Sequence, residues 1–209
     1  DSEPMYYENL PFRFDTRGII YNKRGHVYKV NLGTNKFNKI VDGDKNQIIS
    51  IGSLVESDKG IVFSYEKYNS KGTMLEEKVG SLETKKIKEI HSRGSMGNLF
   101  YYEGDLHAVG LKNRFDWPTN TSILKISRDG KVSFKDRTFD RNVVKAEVNN
   151  SVLYFLYEDS GKTLLRDGTN NIDLIDAEVT VKDFAFNNDK TYVIANSFSK
   201  PDEVYELDN

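Results

Sequence analysis

The stretch Leu32-Gly33-Thr34-Asn35-Lys36-Phe37-Asn38-Lys39-Ile40 decides the fold, because it returns in weaker form fifty residues later as Leu82-Glu83-Thr84-Lys85-Lys86-Ile87-Lys88-Glu89-Ile90. More distant copies place Val132 and Ile172 where the first copy has Phe37, so that the intervals between these anchors are 50, 45 and 40 residues. Periods of this size are typical of β-propeller blades, which are four-stranded sheets that bury their faces against neighbouring blades. The repeat therefore predicts stacked β-sheet units.

Strand signals and turn residues alternate along the whole chain, as in His26-Val27-Tyr28-Lys29-Val30-Asn31-Leu32 followed by Gly33-Thr34-Asn35. The sequence therefore predicts an all-β fold, a partial β-propeller with about three full four-stranded blades between two incomplete ones. We expect a single propeller domain over residues 1–209, with blade pieces at about 5–42, 46–92, 96–138, 142–178 and 180–209.

Local sequence leaves some of these assignments open. The segment from Leu75 to Ile90 is rich in Glu and Lys, so intrinsic propensity favours a helix about as strongly as strands. The register of the repeat favours strands, because equivalent copies should share a structure. Asp42-Gly43-Asp44 is predicted to be a turn, since these residues tolerate positive φ and hydrogen-bond their own backbone. Asp129-Gly130 predicts a two-residue hairpin turn.

Composition excludes several kinds of partner. The 30 basic and 32 acidic residues nearly cancel, so no overall field draws the chain to nucleic acid or to an anionic membrane. The absence of cysteine excludes disulfides and thiolate metal sites, and it is compatible with a reducing cytoplasm or a hot habitat. No apolar stretch approaches the roughly twenty residues of a membrane helix, and we expect a cytoplasmic protein. The start at Asp1, without Met or signal peptide, favours a chain cut from a longer one.

Catalytic and metal-binding motifs are weak or missing. No G-x-S-x-G nucleophile motif occurs anywhere in the chain. Asp42-x-Asp44-x-Asn46 resembles the start of a calcium loop, but Gln47 stands where that loop requires glycine. The three histidines show no paired spacing; they are His26, His91 and His107. We therefore predict no catalytic residue, no cofactor and no metal within this chain.

Several phrases, taken in order, resemble the propeller of the acylaminoacyl peptidases, a branch of the prolyl oligopeptidase family of serine peptidases. The phrases are Asn9-Leu10-Pro11-Phe12-Arg13-Phe14-Asp15-x-x-Gly18, His26-Val27-Tyr28-Lys29-Val30, Asp42-Gly43-Asp44, Thr138-Phe139-Asp140-Arg141-Asn142-Val143 and Ser197-Phe198-Ser199-Lys200-Pro201-Asp202-Glu203-Val204-Tyr205. Each motif is loose, and their common order along nearly the whole chain carries the resemblance. The last phrase resembles the final blade of that propeller.

The resemblance implies a position and a role for the chain. It would enter a seven-bladed propeller near the third blade and leave before the last strand of the seventh. An α/β-hydrolase domain of the same polypeptide would follow beyond Asn209. In this family the propeller admits short peptides, N-acylated ones among them, to the enclosed active site and excludes folded proteins. The parent protein would then be an enzyme, and the mechanism of this chain would be gating.

Four residues are candidates for lining the substrate cavity or contacting the hydrolase domain: Arg93, Arg114, Trp117 and Arg141. They lie in connections between blades or in the long loop of residues 112–120, which contains the only Trp, and Arg and Trp are frequent interface anchors. Long loops on rigid scaffolds often carry function, although a packed surface loop is the more common case. The family offers no residue-by-residue match for these four positions.

Two other functions remain open at this point. A stand-alone β-propeller that binds proteins or ligands would explain the missing nucleophile motif, but it would not explain the broken first and last blades. A propeller lactonase or glycosidase would need clustered carboxylates or histidines on the innermost strands, and the sequence suggests none. The unpaired strand edges expected at both ends could also pair copies of the chain in a homo-oligomer.

Overall fold

The computed structural model describes residues 24–57, 60–71, 74–83, 86–92, 94–113, 119–175, 178–188 and 190–207, together with the backbone of residues 13–14 and 18–19. The strands are β1 (Arg13–Phe14), β2 (Gly18–Ile19), β3 (Val27–Asn31), β4 (Lys36–Val41), β5 (Ile48–Ser57), β6 (Gly60–Tyr68), β7 (Leu75–Glu83), β8 (Lys86–His91), β9 (Ser95–Tyr102), β10 (Asp105–Leu111), β11 (Ser122–Ile126), β12 (Val132–Phe134), β13 (Asn142–Asn149), β14 (Val152–Asp159), β15 (Lys162–Asp167), β16 (Ile172–Asp173), β17 (Thr180–Asn187), β18 (Lys190–Ser197) and β19 (Lys200–Leu207). One short helix, α1 (Gly43–Asn46), completes the described elements.

The strands form antiparallel sheets in chain order. Three sheets have four strands, namely β5-β6-β7-β8, β9-β10-β11-β12 and β13-β14-β15-β16. The last sheet, β17-β18-β19, has three strands in the described part of the chain, and β1-β2 and β3-β4 are separate pairs. This arrangement confirms the predicted all-β fold, a partial β-propeller with incomplete blades at its ends.

The chain divides into two compact units, Asp1–Gly94 and Ser95–Asn209. In the first unit the buried core joins β4 to the four-stranded sheet and is formed by Val41, Ile48, Phe63 and Tyr65. In the second unit apolar side chains fill the spaces between successive sheets. Val143, Leu153 and Phe155 pack with Phe100 and Tyr102, and Leu156 and Leu165 pack with residues of β17 and β18. That all blade pieces form one domain stays a prediction.

The segment from residue 75 to 90 is a strand pair, as the repeat predicts, and the helix favoured by local propensity does not form. β7 pairs with β6 on one side and with β8 on the other, and Leu82 lies opposite Ile87. Val79 is fully buried in this sheet, and Lys78 Nζ lies 2.9 Å from Glu89 Oε2 across the β7–β8 pair. These cross-strand contacts outweigh the small helix preference of Glu and Lys.

Two predicted turns differ in detail from the structure. Asp42 is the N-cap of α1 rather than part of a turn, since its side chain accepts hydrogen bonds from the backbone of Asp44 and Lys45. The residue at positive φ is Gln47, which ends the helix. At Asp129-Gly130 the Gly130 N–H donates to the Ser127 carbonyl at 2.9 Å, so the turn extends over one more residue than predicted.

The first strand of each sheet in the second unit carries one extra residue relative to its partner strand. The pairing skips Asn98 in β9, Val144 in β13 and Lys182 in β17. Such bulges increase local twist and redirect neighbouring side chains. Lys145, which follows one bulge, donates to Asp183 Oδ1 at 2.7 Å in the next sheet. The bulges therefore help to place side chains that join successive sheets.

Candidate functional site at the β12–β13 connection

Of the four residues proposed from sequence, Arg141 is described by the structure. Arg93, Arg114 and Trp117 lie outside the described residues. Arg141 immediately precedes β13, in the connection between the second and third four-stranded sheets. We call residues 135–141 the β12–β13 connection.

Two carboxylates orient the Arg141 side chain. Its Nε donates to Asp159 Oδ1 at 2.9 Å, and one terminal nitrogen donates to Asp140 Oδ1 at 2.5 Å. The hydrogen bond to Asp159 and the two negative charges raise the pKa of the Arg141 guanidinium. The group is about half exposed, so it keeps donors for a further partner. An anionic ligand would have to compete with Asp140 and Asp159, whereas a neutral carbonyl oxygen could accept from the remaining N–H groups.

The end of the long loop is fixed to the same connection. The Thr121 backbone N–H donates to Asn142 Oδ1 at 3.0 Å, and Asn120 Nδ2 donates to the Asp140 carbonyl at 2.6 Å. Asn142 Nδ2 in turn donates to Glu158 Oε2 at 2.6 Å. The structure therefore brings Arg141 next to the loop end. The sequence suggested both positions but contained no signal for this contact.

Phe139 anchors the connection against the next sheet. Its ring meets Phe155 and Tyr157 edge-on, each at 5.2 Å between centroids. The Arg166 guanidinium carbon lies 5.7 Å from the Phe139 ring centroid, within the range of a cation–π contact. In the sequence, Phe139 stands out only as part of the Thr138–Val143 motif. An aromatic residue in an otherwise polar connection was the available signal for its anchoring role.

A cavity of about 220 Å³ lies beside Phe139, between the second and third four-stranded sheets. Its described lining includes Ser122, Lys135, Asp136, Phe155 and Asn171. Ligand pockets for drug-sized molecules usually have about 300–1,000 Å³, so this cavity suits a single side chain or a similar small group. Among its described lining residues Ser122 has the one hydroxyl, and no histidine is present.

The charged residues of this cavity are already held by the protein. Asp136 Oδ1 accepts hydrogen bonds from both the backbone N–H and the hydroxyl of Thr138, each at 2.7 Å. These bonds lower the pKa of Asp136. Lys135 Nζ lies 5.2 Å from the centroid of the Tyr102 ring. The connection is therefore a preorganised polar surface with one aromatic anchor.

A second cluster, in the first unit, brings together His26, Asp42 and Asp44, with one potential ligand atom of each lying within 4.8 Å of the others. The Gly43 N–H donates to His26 Nδ1 at 3.0 Å, so the neutral ring carries its proton on Nε2. That nitrogen faces Asp44 Oδ2 at 3.8 Å and cannot bind a metal while it holds the proton. The cluster fits a helix cap better than a metal site.

No helix in the described part of the chain has the length and apolar character needed to cross a membrane. No protein-family model matches the sequence, and comparison with curated proteins gives no match.

Solved structures do match the fold. Two crystal structures of Pyrococcus horikoshii acylaminoacyl peptidase, an orthorhombic form and an uncomplexed one, align with 100% of this chain at TM-scores of 0.73 and 0.74. Sequence identity is 15% in both, and the chain spans 33% of the length of each. The β-propeller domain of the Trilobed protease from Pyrococcus furiosus is 14% identical, and the alignment covers 88% of this chain and 89% of the length of that domain. Its TM-score of 0.32 is too low to indicate shared geometry. The chain thus has the fold of about one third of an acylaminoacyl peptidase, which confirms the predicted resemblance at the level of the fold.

Proposed function

We propose that this chain is the non-catalytic propeller part of a serine peptidase similar to acylaminoacyl peptidase. It would control the access of short peptides, N-acylated ones among them, to an α/β-hydrolase active site in the same polypeptide. The observation that supports this proposal is the alignment of the whole chain with one third of acylaminoacyl peptidase at TM-scores of 0.73 and 0.74.

A gate that selects by size needs walls that do not separate easily. Hydrogen bonds between sheets of the second unit meet this need. The Ala146 N–H donates to Asn98 Oδ1, and Lys145 Nζ donates to the Phe184 carbonyl at 3.0 Å. The Tyr102 hydroxyl lies 3.3 Å from Thr169 Oγ1. Because such bonds add to apolar packing between the same sheets, local opening between them should be rare.

We further propose that Arg93, Arg114, Trp117 and Arg141 contact the peptide or the hydrolase domain. For Arg141 the support is geometric. Its guanidinium is oriented by Asp159 and Asp140 yet half exposed, which suits donation to a peptide carbonyl. For the other three residues the support is their position in the sequence and the frequency of Arg and Trp at interfaces.

The test begins with the reading frame that contains this chain. A following region with a G-x-S-x-G motif is expected, and the complete polypeptide should cleave short acylated and free peptides. Its activity on an unstructured long polypeptide should be weak. Deletion of the propeller region should raise the activity on the long polypeptide relative to the activity on short peptides. A frame without a hydrolase region would contradict the proposal and favour a stand-alone binding module. Equal size selectivity with and without the propeller would contradict the gating role, but not the proposal that the chain is part of a peptidase.

A further inference from the structure

The cavity beside Phe139, between the second and third four-stranded sheets, combines an apolar wall with a charged rim. We call it the Phe139 cavity. Its volume is about 220 Å³. An apolar cavity of about 150 Å³ engineered in another protein is large enough to bind benzene. The Phe139 cavity therefore has room for one apolar side chain together with a small polar group.

The wall of the Phe139 cavity contains four buried apolar side chains, Ile123, Val143, Leu153 and Phe155. Phe139 adds a second aromatic ring, which meets the ring of Phe155 edge-on at 5.2 Å between centroids. Water gains few hydrogen bonds against such a wall, so an apolar group that displaces the water is favoured. Aromatic rings in the wall also offer edge-on contacts to an aromatic ligand.

The rim of the cavity carries two opposite charges from adjacent residues, Lys135 and Asp136. Both side chains are exposed, and neither forms an ion pair within the described part of the chain. Lys135 Nζ lies over the Tyr102 ring, 5.2 Å from its centroid, which leaves its N–H groups for an acceptor. Thr138 donates two hydrogen bonds to Asp136 Oδ1, and the carboxylate keeps further acceptor sites. The rim therefore offers one cation and one anion to a ligand.

The backbone holds these rim residues in place on both sides of the cavity. The Lys135 N–H donates to the Ile123 carbonyl at 2.9 Å, so Lys135 continues the pairing of β12 with β11. From the third sheet, Asn171 lines the same cavity, and its carbonyl accepts a hydrogen bond from Arg166 at 2.9 Å. The Asn171 side-chain amide forms no hydrogen bond with the residues that the structure describes. The cavity is thus preorganised, which lowers the entropic cost of binding.

A ligand that uses both charges and the apolar wall needs a carboxylate, an ammonium and an apolar group on one small frame. A free α-amino acid with an apolar side chain has these three groups around a single carbon atom. In a peptide the terminal ammonium and carboxylate belong to different residues, so both could not reach one small cavity together. A neutral ligand would leave both charges unused.

We propose that the Phe139 cavity binds a free α-amino acid with an apolar side chain. The ligand carboxylate pairs with Lys135, its ammonium pairs with Asp136, and its side chain contacts Phe139 and Phe155. The apolar contact provides affinity, and the two charges select the free amino acid over its blocked derivatives. This inference rests on the cavity alone and does not depend on the proposed peptidase function.

The test is an amide NMR titration of the 209-residue chain with L-phenylalanine and three analogues. Glycine lacks the apolar side chain, L-phenylalaninamide lacks the carboxylate, and N-acetyl-L-phenylalanine lacks the ammonium. L-Phenylalanine should cause saturable shifts around the β12–β13 connection, and each analogue should bind at least about tenfold more weakly. No saturable shift with L-phenylalanine, shifts centred elsewhere, or equal binding of any analogue would overturn the proposal.

A charge-removing variant assigns the carboxylate contact. Lys135→Met should weaken L-phenylalanine binding about tenfold, while L-phenylalaninamide, which has no carboxylate, should bind no more weakly than before. Lys131→Met is the matched control, because Lys131 pairs with Asp129 and is not among the described residues that line the cavity. It should leave L-phenylalanine binding unchanged. Equal weakening of the amino acid and its amide by Lys135→Met, or an equal effect of Lys131→Met, would contradict the pairing.

A cavity-filling variant tests the place of binding independently of charge. Ser122 lines the cavity, so Ser122→Leu should occupy part of its volume and abolish saturable binding of L-phenylalanine. The amide spectrum of the same variant shows whether the fold is kept. Full L-phenylalanine binding by Ser122→Leu would overturn the proposal.

Discussion

Asn98 joins two sheets by accepting a hydrogen bond from Ala146. Its side-chain Oδ1 lies 2.5 Å from the Ala146 backbone nitrogen, and Ala146 is fully buried. Asn98 is also the bulge residue of β9 and has a φ of 40°, a conformation that Asn tolerates better than most residues. One side chain thus satisfies a buried donor from a strand 48 residues away.

We expect Asn98→Ala to destabilise the chain by about 2–3 kcal/mol, because the Ala146 N–H loses its acceptor and alanine disfavours positive φ. Asn98→Asp is the control that keeps an oxygen at this position, and it should retain most of the stability. Urea unfolding measures both effects. Equal losses for the two variants would show that the hydrogen bond is not the cause.

His107 should make stability depend on pH. The residue is only 3% exposed, and its ring stacks on Phe100 with 5.6 Å between centroids. Burial lowers the pKa of His107 below its usual 6.5, and Lys125 and Lys135 act in the same direction, against Asp105. The unfolded chain therefore binds the proton more readily. The stability contributed by neutral His107 is fully present above about pH 6.5 and is lost as the pH falls.

The measurement is the free energy of unfolding between about pH 7.5 and 5, a window that lies above the titration of most carboxylates. His107 can contribute up to about 1.4 kcal/mol per pH unit to the slope of the unfolding free energy against pH, which is the value for one proton. His107→Gln cannot titrate, so its slope should be smaller than that of the wild type. Identical slopes would contradict the assignment.

Lys78 is a buried cation that holds β7 to β8. Its side chain is 8% exposed, with Nζ 2.9 Å from Glu89 and 3.2 Å from Glu76. Burial alone would lower the pKa of Lys78, but the bonds to Glu89 and Glu76 outweigh it and raise the pKa. Lys78→Met should destabilise the chain by about 2 kcal/mol, because it removes charged hydrogen bonds. Thermal or urea unfolding checks this value.

A double-mutant cycle with Glu89→Gln separates pairing from packing. If the ion pair matters, Lys78→Met combined with Glu89→Gln should cost less than the sum of the single variants, with a coupling of about 1 kcal/mol. Strict additivity would show that Lys78 acts through its aliphatic stem alone.

In the complete polypeptide, Arg114→Ala, Trp117→Ala and Arg141→Ala should change kcat/KM for short peptides, because we propose that these residues contact the peptide or the hydrolase domain. Arg137→Ala is the matched control, since Arg137 is an exposed residue of the same β12–β13 connection and carries the same charge. Kinetics with peptides of increasing length would provide the readout. Unchanged kinetics in all three variants, or equal changes in Arg137→Ala, would remove these residues from the site.

Local patterns predicted the strands better than the turns or the site. Leu82 and Ile87 could be assigned to paired strands because their repeat copy forms the same pattern. The cap at Asp42 was missed because Asp-Gly-Asp favours turns and helix N-termini alike, and packing decides between them. Arg141 was selected for its place in the sequence, but its partner Asp159 was not foreseeable without the strand register.

The sequence by itself determined the strand order and the sheet units, because alternating side chains, turn residues and repeat length act over short distances along the chain. Only the tertiary structure decided which distant groups meet. The bond from Ala146 to Asn98 and the packing of Phe139 on Phe155 both depend on how separate strands are stacked. Such contacts arise from sheet register and packing, and no local pattern encodes them.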